Sequence, residues 1–74
     1  MTTYGVLLFH TTSAAFRAEG ILRRSGLSVK LIPVPREFSS DCGVAARFHW
    51  ADRDRVIEIL DQQNATIAKI AELP

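Results

Sequence analysis

A chain of 74 residues is long enough for one small domain, which we expect to span residues 1–74. Its apolar fraction of 47% excludes a disordered chain, and a formal charge of +1 is not the strongly basic balance of a nucleic-acid-binding protein. The single cysteine excludes an internal disulfide and favours a reducing, cytoplasmic location. No apolar run approaches the roughly 18 residues of a membrane span, so we expect no membrane partner.

The first two predicted elements are a strand and a helix. Residues 4–9 form a short apolar run rich in strand-forming residues. A helix is predicted over 14–24, because apolar residues recur there at helical spacing. Thr12 or Ser13 is the predicted N-cap, and Gly26 is suited to a left-handed cap at the other end.

A loop rich in proline, serine and glycine separates the next two predicted strands. Apolar and polar residues alternate over 27–32, which predicts a strand that Pro33 and Pro35 end, because neither has an amide hydrogen to donate. The composition of 33–43 is that of a loop. Alternation returns over 44–50 and predicts the third strand.

The last third of the chain predicts a helix and a strand, which completes the order βαββαβ. Asp52 is the expected cap of a helix over 53–63, and a weaker alternation predicts a strand over 65–73. This order favours an α+β fold, a ferredoxin-like two-layer sandwich with an antiparallel sheet in the order 4-1-3-2 and both helices on one face. The other face would then be open and apolar, which favours a homodimer, with simple partial exposure as the alternative.

Topology predicts the surroundings of Cys42, which precedes the third strand. The first and second strands would finish at the same end of the sheet, so the loop that carries Cys42 would lie beside His10, Thr11 and Thr12. The amides at the start of the first helix could then stabilise a thiolate. We therefore expect the loop to present a reactive thiol.

Charged neighbours along the chain act on this thiol in opposite senses. Arg36 could contribute a guanidinium and His10 an imidazole, whereas the carboxylate of Asp41 works against a thiolate unless Arg36 pairs with it. Gly43 leaves one side of the cysteine without a side chain, which allows close approach by another molecule. The alternative is that Cys42 is a small buried apolar residue without chemistry.

The segment 31–45, LIPVPREFSSDCGVA, resembles the signature of the selenium/sulfur carrier-like family, small bacterial proteins that share an I-P-x-P-R-x-[I/F/L]-S-S-x-C-G pattern. The likeness extends over nearly the whole chain. The matching site residues are Pro33, Pro35, Arg36, Ser39, Ser40, Asp41, Cys42 and Gly43. The segment 10–12 departs from what relatives carry after the first strand, and the Cys-Pro-x-Pro element of other sulfur-relay carriers is absent.

This resemblance implies a carrier without catalytic turnover or cofactor, whose cysteine accepts sulfur or selenium as a persulfide or perselenide. A cysteine desulfurase or selenium donor would load it, and a second protein would accept the atom. Arg36 and the helix amides would then stabilise the anion, Ser39 and Ser40 could donate hydrogen bonds to sulfur, and the two prolines would stiffen the loop.

Other functions remain as alternatives. A metal site built from Cys42, His10 and His49 lacks any short ligand spacing. A cysteine hydrolase would need an orienting carboxylate and a cleft, for which so short a chain has little room. The remaining alternative is a small-anion-sensing or protein-interaction module on the same fold, in which the cysteine is incidental.

Overall fold

Helices and strands follow one another in the predicted order in the computed structural model, which describes residues 3–38 and 42–74. The elements are β1 (Tyr4–Leu8), α1 (Thr12–Arg24), β2 (Val29–Pro33), β3 (Val44–His49), a 3₁₀ turn (Trp50–Asp52), α2 (Arg53–Gln62) and β4 (Lys69–Glu72). The predicted elements are confirmed in type and order. The largest difference is β4, which begins four residues later than the alternation indicated.

The four strands form one sheet in the order β2-β3-β1-β4, which is the predicted order read from the other edge. Every neighbouring pair is antiparallel. The inner strands β1 and β3 pair from Tyr4 opposite His49 to Leu8 opposite Ala45. Because both inner strands are flanked on each side, they carry the best-buried sheet residues, and β2 and β4 form the edges.

Both helices contribute to one apolar core on a single face of the sheet. Its fully buried members come from β1 and the residue after it, from α1, from β3 and from α2, and they include Leu7, Phe9, Ala15, Leu22, Ala46, Phe48 and Val56. In α1 the buried positions recur at the spacing of one helix face. The second layer of the domain is therefore formed by the two helices, and the sheet has a helix-covered face and an opposite face.

Gly5 on β1 makes room for two aromatic rings within this core. A Cβ at position 5 would lie 2.5 Å from Trp50 Cε3 and 2.7 Å from Phe48 Cζ, distances that real side chains do not tolerate. The rings of Phe48 and Trp50 lie 6.0 Å apart, tilted by 32°. The missing side chain therefore lets the indole cover the backbone of an inner strand.

The helix boundaries show where local sequence signals were misjudged. Thr11 is the N-cap of α1, its Oγ1 accepting from the amide of Ala14 at 3.1 Å, so the prediction of Thr12 or Ser13 was wrong. Asp52 makes no side-chain cap bond, because the 3₁₀ turn leads directly into α2. Gly26 has φ of +86° after the end of α1, which confirms its left-handed cap.

Two arginines of α1 bind backbone carbonyls of other elements. Arg17 donates to the carbonyls of Gln63, at 2.8 Å, and Asn64, at 3.4 Å, just beyond the end of α2. Arg23 donates to the carbonyl of Val29 at the start of the edge strand β2. The guanidinium groups thus satisfy acceptors that a helix end and a strand edge leave open.

The face of the sheet opposite the helices is covered in part, which corrects the expectation of an open apolar face. Val6, Leu8 and Ala45 are at most 2% exposed. The residues that pack on them are Ile32 of β2, Val34 and Phe38 of the β2–β3 loop, Ala71 of β4, and Leu73. The loop thus folds over this face, and Phe38 reaches Lys69 on the far edge strand. No helix among the described residues has the length and apolar character to cross a membrane.

Candidate functional site

Cys42 lies two residues before β3, at the end of the sheet where the chain leaves β1 and β2. Its side chain belongs to the helix-side core and is only 3% exposed. This differs from the expected presentation of the thiol by the loop. The geometry instead holds the sulfur under the surface, beside the residues that begin α1.

Oxygen atoms of Val44 and Thr12 lie within hydrogen-bonding reach of the sulfur. Cys42 Sγ lies 3.4 Å from the carbonyl oxygen of Val44 and 3.7 Å from Oγ1 of Thr12, so the thiol can donate to either. Thr12 is the first residue of α1, and Thr11 immediately before it caps the helix. The sulfur is therefore held at the amino end of a helix of 13 residues.

Backbone pairing closes the loop that contains Cys42 at its base. Pro33 pairs opposite Val44, and the amide of Val34 donates to the carbonyl of Gly43 at 3.3 Å. Gly43 is exposed, and no atom of the residues that the structure describes lies within 4 Å of where its Cβ would stand. Solvent or a partner can thus approach the backbone next to the buried sulfur.

The other predicted site residues of the β2–β3 loop are Pro33, Pro35, Arg36, Ser39, Ser40 and Asp41. Pro33 ends β2, and the carbonyl of half-buried Pro35 accepts from the amide of Phe38 at 3.0 Å in a tight turn around Arg36. Arg36 is exposed and makes no hydrogen bond or ion pair within residues 3–38 and 42–74. The predictions for Ser39, Ser40 and Asp41 fall outside the described residues.

The two histidines do not meet at the cysteine. His10 is exposed in the segment between β1 and α1 and makes no hydrogen bond to another described residue. His49 lies at the opposite end of β3, where its ring stacks on Tyr4 with centroids 5.2 Å apart. In the described part of the chain, no group of three or more His, Cys, Asp or Glu side chains is arranged to hold a metal ion.

An apolar groove that the sequence did not predict lies beside Gly43. Its volume is about 360 Å³, and it is lined by Phe16, Leu31, Ile32, Pro33, Gly43 and Val44. Phe16 is 56% exposed, although its helical position flanks the buried stripe of α1. The sequence signal was available: a large aromatic residue one step outside a helix's buried face extends the apolar surface beyond the core.

Comparison with known proteins gives a family for the chain. No curated protein and no solved structure gives a significant match. The model of the family described as "Putative Se/S carrier protein-like" matches residues 4–72, which includes every described element and the segment around Cys42. The chain therefore belongs to the putative Se/S carrier protein-like family.

Proposed function

We propose that this protein accepts a sulfur or selenium atom on Cys42 and hands it to an acceptor protein. The observation that carries the proposal is the 3.7 Å approach of Cys42 Sγ to Oγ1 of Thr12, at the first residue of α1. A helix begins with amide groups that have no partner within the helix, and they carry a partial positive charge. Sulfur or selenium bearing negative charge is stabilised at such a position.

The loading step needs no oxidant beyond the donor. The Cys42 thiolate attacks the terminal sulfur of a donor's cysteine persulfide, and a new S–S bond forms on Cys42 as the donor's S–S bond breaks. The electron pair of that bond leaves on the donor's cysteine sulfur as a thiolate. The donor is thereby reduced to its thiol form, and Cys42 is oxidised to the persulfide. Selenium follows the same step with an S–Se bond on Cys42.

The position of Thr12 allows its hydroxyl to hydrogen-bond the Cys42 sulfur during the loading step. The thiol can donate its one hydrogen to the Val44 carbonyl or to Thr12 Oγ1, but a thiolate only accepts, so the Thr12 hydroxyl would then donate to sulfur. Thr12 is exposed, whereas the Cys42 side chain in contact with it is only 3% exposed. Loading therefore requires the loop to open far enough for the donor's sulfur to reach Sγ.

The proposal extends to the surroundings of the site. On the ferredoxin-like arrangement, the Cys42 loop would dock on a cytoplasmic desulfurase or selenium donor, with exposed Arg36 attracting the anionic persulfide. Gly43 would give the approaching chain access to the sulfur, and Pro33 and Pro35 would limit the entropy lost on docking. Ser39 and Ser40 would donate hydrogen bonds to sulfur, as the family resemblance implies, and Asp41 would pair with Arg36. His10, which the resemblance does not include, would contribute an imidazole from the segment before α1.

Intact-protein mass spectrometry tests the proposal. After incubation with an inorganic polysulfide, the wild type should gain about 32 Da, and with selenide plus oxidised glutathione about 80 Da, both lost on reduction. Thr12→Val, which keeps the shape and removes the hydroxyl, should load several-fold more slowly. The matched control is Thr66→Val, an exposed threonine before β4, which should load at the wild-type rate.

Two results would contradict the proposal. An adduct that persists in Cys42→Ser would show that the label is not on the cysteine. No adduct on the folded wild type, together with full loading of the urea-unfolded chain, would show that the buried sulfur is structural. The chain would then be better described as an interaction module in which Cys42 only fills the core.

A further inference from the structure

The sheet face opposite the helices carries an excess of positive charge that the net charge of +1 conceals. The strand alternation brings Lys30 of β2, Arg47 of β3 and Lys69 of β4 to this face, together with His49. Glu72, the acidic residue of the described strands, pairs opposite Gly5 and therefore lies on the face of the sheet that the helices cover. Most acidic residues lie instead on the helices and the 3₁₀ turn, at Glu19, Asp52, Asp54, Glu58 and Asp61. Exposed Glu37 lies in the β2–β3 loop next to Phe38 and makes no ion pair with a described residue.

These cations are not neutralised by neighbouring carboxylates. Within residues 3–38 and 42–74 the ion pairs are Arg23 with Glu19 and Arg53 with Asp54, and Lys30, Arg47 and Lys69 take part in none. Lys30 and Arg47 are direct cross-strand partners. Like charges directly opposite each other destabilise a sheet, so this pair opposes folding.

Protection of sheet edges explains only part of the pattern. Lysines on edge strands prevent pairing with other chains, which accounts for Lys30 on β2 and Lys69 on β4. Arg47 lies on the inner strand β3, where there is no edge to protect. Arg47 instead lies over the Tyr4 ring, and among the described residues neither it nor Lys30 has a carboxylate partner, so both charges are available to an anionic partner from outside the domain.

The aromatic rings of this face show which kind of anion fits. The Arg47 guanidinium lies 4.3 Å from the centre of the Tyr4 ring, and His49 stacks on the same ring. Phe38 packs on the apolar cluster of this face and has Lys69 Nζ 5.5 Å from its ring centre. The rings are thus already occupied, which leaves no free platform for stacking nucleic-acid bases and favours carboxylates.

We propose that Lys30, Arg47 and Lys69, the basic face, dock an acidic polypeptide segment of a partner protein. β2 and β4 are separated by three strand spacings of about 4.8 Å, so the face spans on the order of 15 Å, the length of roughly five extended residues. The cation–π contact holds Arg47 in place before binding, which lowers the entropy lost on docking. This interaction goes beyond the carrier proposal, because it uses no atom of Cys42.

Backbone amide NMR of the full chain titrated with a ten-residue poly-glutamate peptide at low salt tests the basic face. The expected shifts fall on β2, β3 and β4, and binding weakens with added salt. Lys30→Gln and Lys69→Gln should each raise the Kd about three- to fivefold. Arg55→Gln, which removes one exposed charge from α2, is the matched control and should leave the Kd within the error of wild type.

Three outcomes would overturn this inference. The first is an absence of amide shifts at low salt, and the second is an equal loss of affinity in Arg55→Gln. The third is tighter binding of a ten-nucleotide oligothymidylate than of the peptide, which would assign the face to nucleic acid. Because the assay does not involve thiol chemistry, Cys42→Ser should bind the peptide like the wild type even if sulfur loading fails.

Discussion

The ammonium of Lys69 on β4 lies 5.5 Å from the ring centre of Phe38, which belongs to the loop that leaves the opposite edge strand. The contact spans the sheet and holds the described first part of the β2–β3 loop, residues 34–38, over it. Phe38 thus connects the segment around Cys42 to the face that lies away from the helices, and it closes the small cluster over Val6, Leu8 and Ala45.

Phe38→Ala should lower the free energy of unfolding by about 1–2 kcal/mol, because the half-buried ring leaves apolar contacts that alanine cannot replace. Urea unfolding followed by circular dichroism measures the change. Phe16→Ala is the control: its ring is 56% exposed, so the loss should stay below about 0.5 kcal/mol. Equal losses in the two variants would mean that Phe38 does not hold the loop on the sheet.

Gly5→Ala should destabilise the protein by about 1–3 kcal/mol, because the added Cβ overlaps Trp50 Cε3 and Phe48 Cζ and the rings must move. Gly20→Ala adds the same methyl group inside α1, where the nearest atom is Arg24 Nη1 at 3.4 Å. There it should stabilise by up to about 1 kcal/mol through helix propensity. Thermal melts of the two variants should therefore move in opposite directions, and a shared direction would contradict the packing described for Trp50.

Lys30→Thr should raise the free energy of unfolding by about 0.2–1 kcal/mol, because it removes the charge directly opposite Arg47 and introduces a strand-forming residue. Lys69→Thr is the comparison, since Lys69 faces Leu8 and contacts the Phe38 ring. It should lose about 0.5 kcal/mol of cation–π attraction, which offsets any gain in strand propensity. Denaturant midpoints check both values, and destabilisation by Lys30→Thr would remove the argument that this lysine opposes folding.

Arg36→Gln should slow loading of Cys42 by an anionic polysulfide a few-fold at low salt and have little effect at high salt, because an exposed guanidinium acts through screened attraction. The rate is read from the mass adduct as a function of time. Arg55→Gln carries the same change of charge on α2 and should load like the wild type. A slower rate that persists at high salt would indicate a structural role for Arg36 instead.

Much of the fold followed from local patterns in the chain. Alternation predicted β2 and β3, helical spacing predicted α1 and α2, and the order of elements led to the observed sheet order. The cap of α1 could not be assigned uniquely, because three adjacent hydroxyl residues, Thr11, Thr12 and Ser13, all suit an N-cap. The choice of Thr11 depends on where the chain leaves β1, which local signals do not specify.

The position of Cys42 in the fold was predictable from the sequence, and its burial was not. Topology predicted that Cys42 lies near the start of α1, and the structure has Cys42 Sγ 3.7 Å from Oγ1 of Thr12, the first residue of that helix. Its burial depends on how the ends of β3 and α1 pack together, which composition does not reveal, since a loop of polar residues reads as exposed. The return of Phe38 over the sheet is likewise a long-range contact without a local signal.

The fit of the indole over Gly5 gives the protein an internal optical probe. Trp50 is the single tryptophan of the chain, and it lies where β1 and β3 meet. Its emission should therefore shift when the two inner strands separate and stay constant when only the Cys42 loop opens. One unlabelled sample can thus distinguish global unfolding from the local motion that access to the sulfur requires.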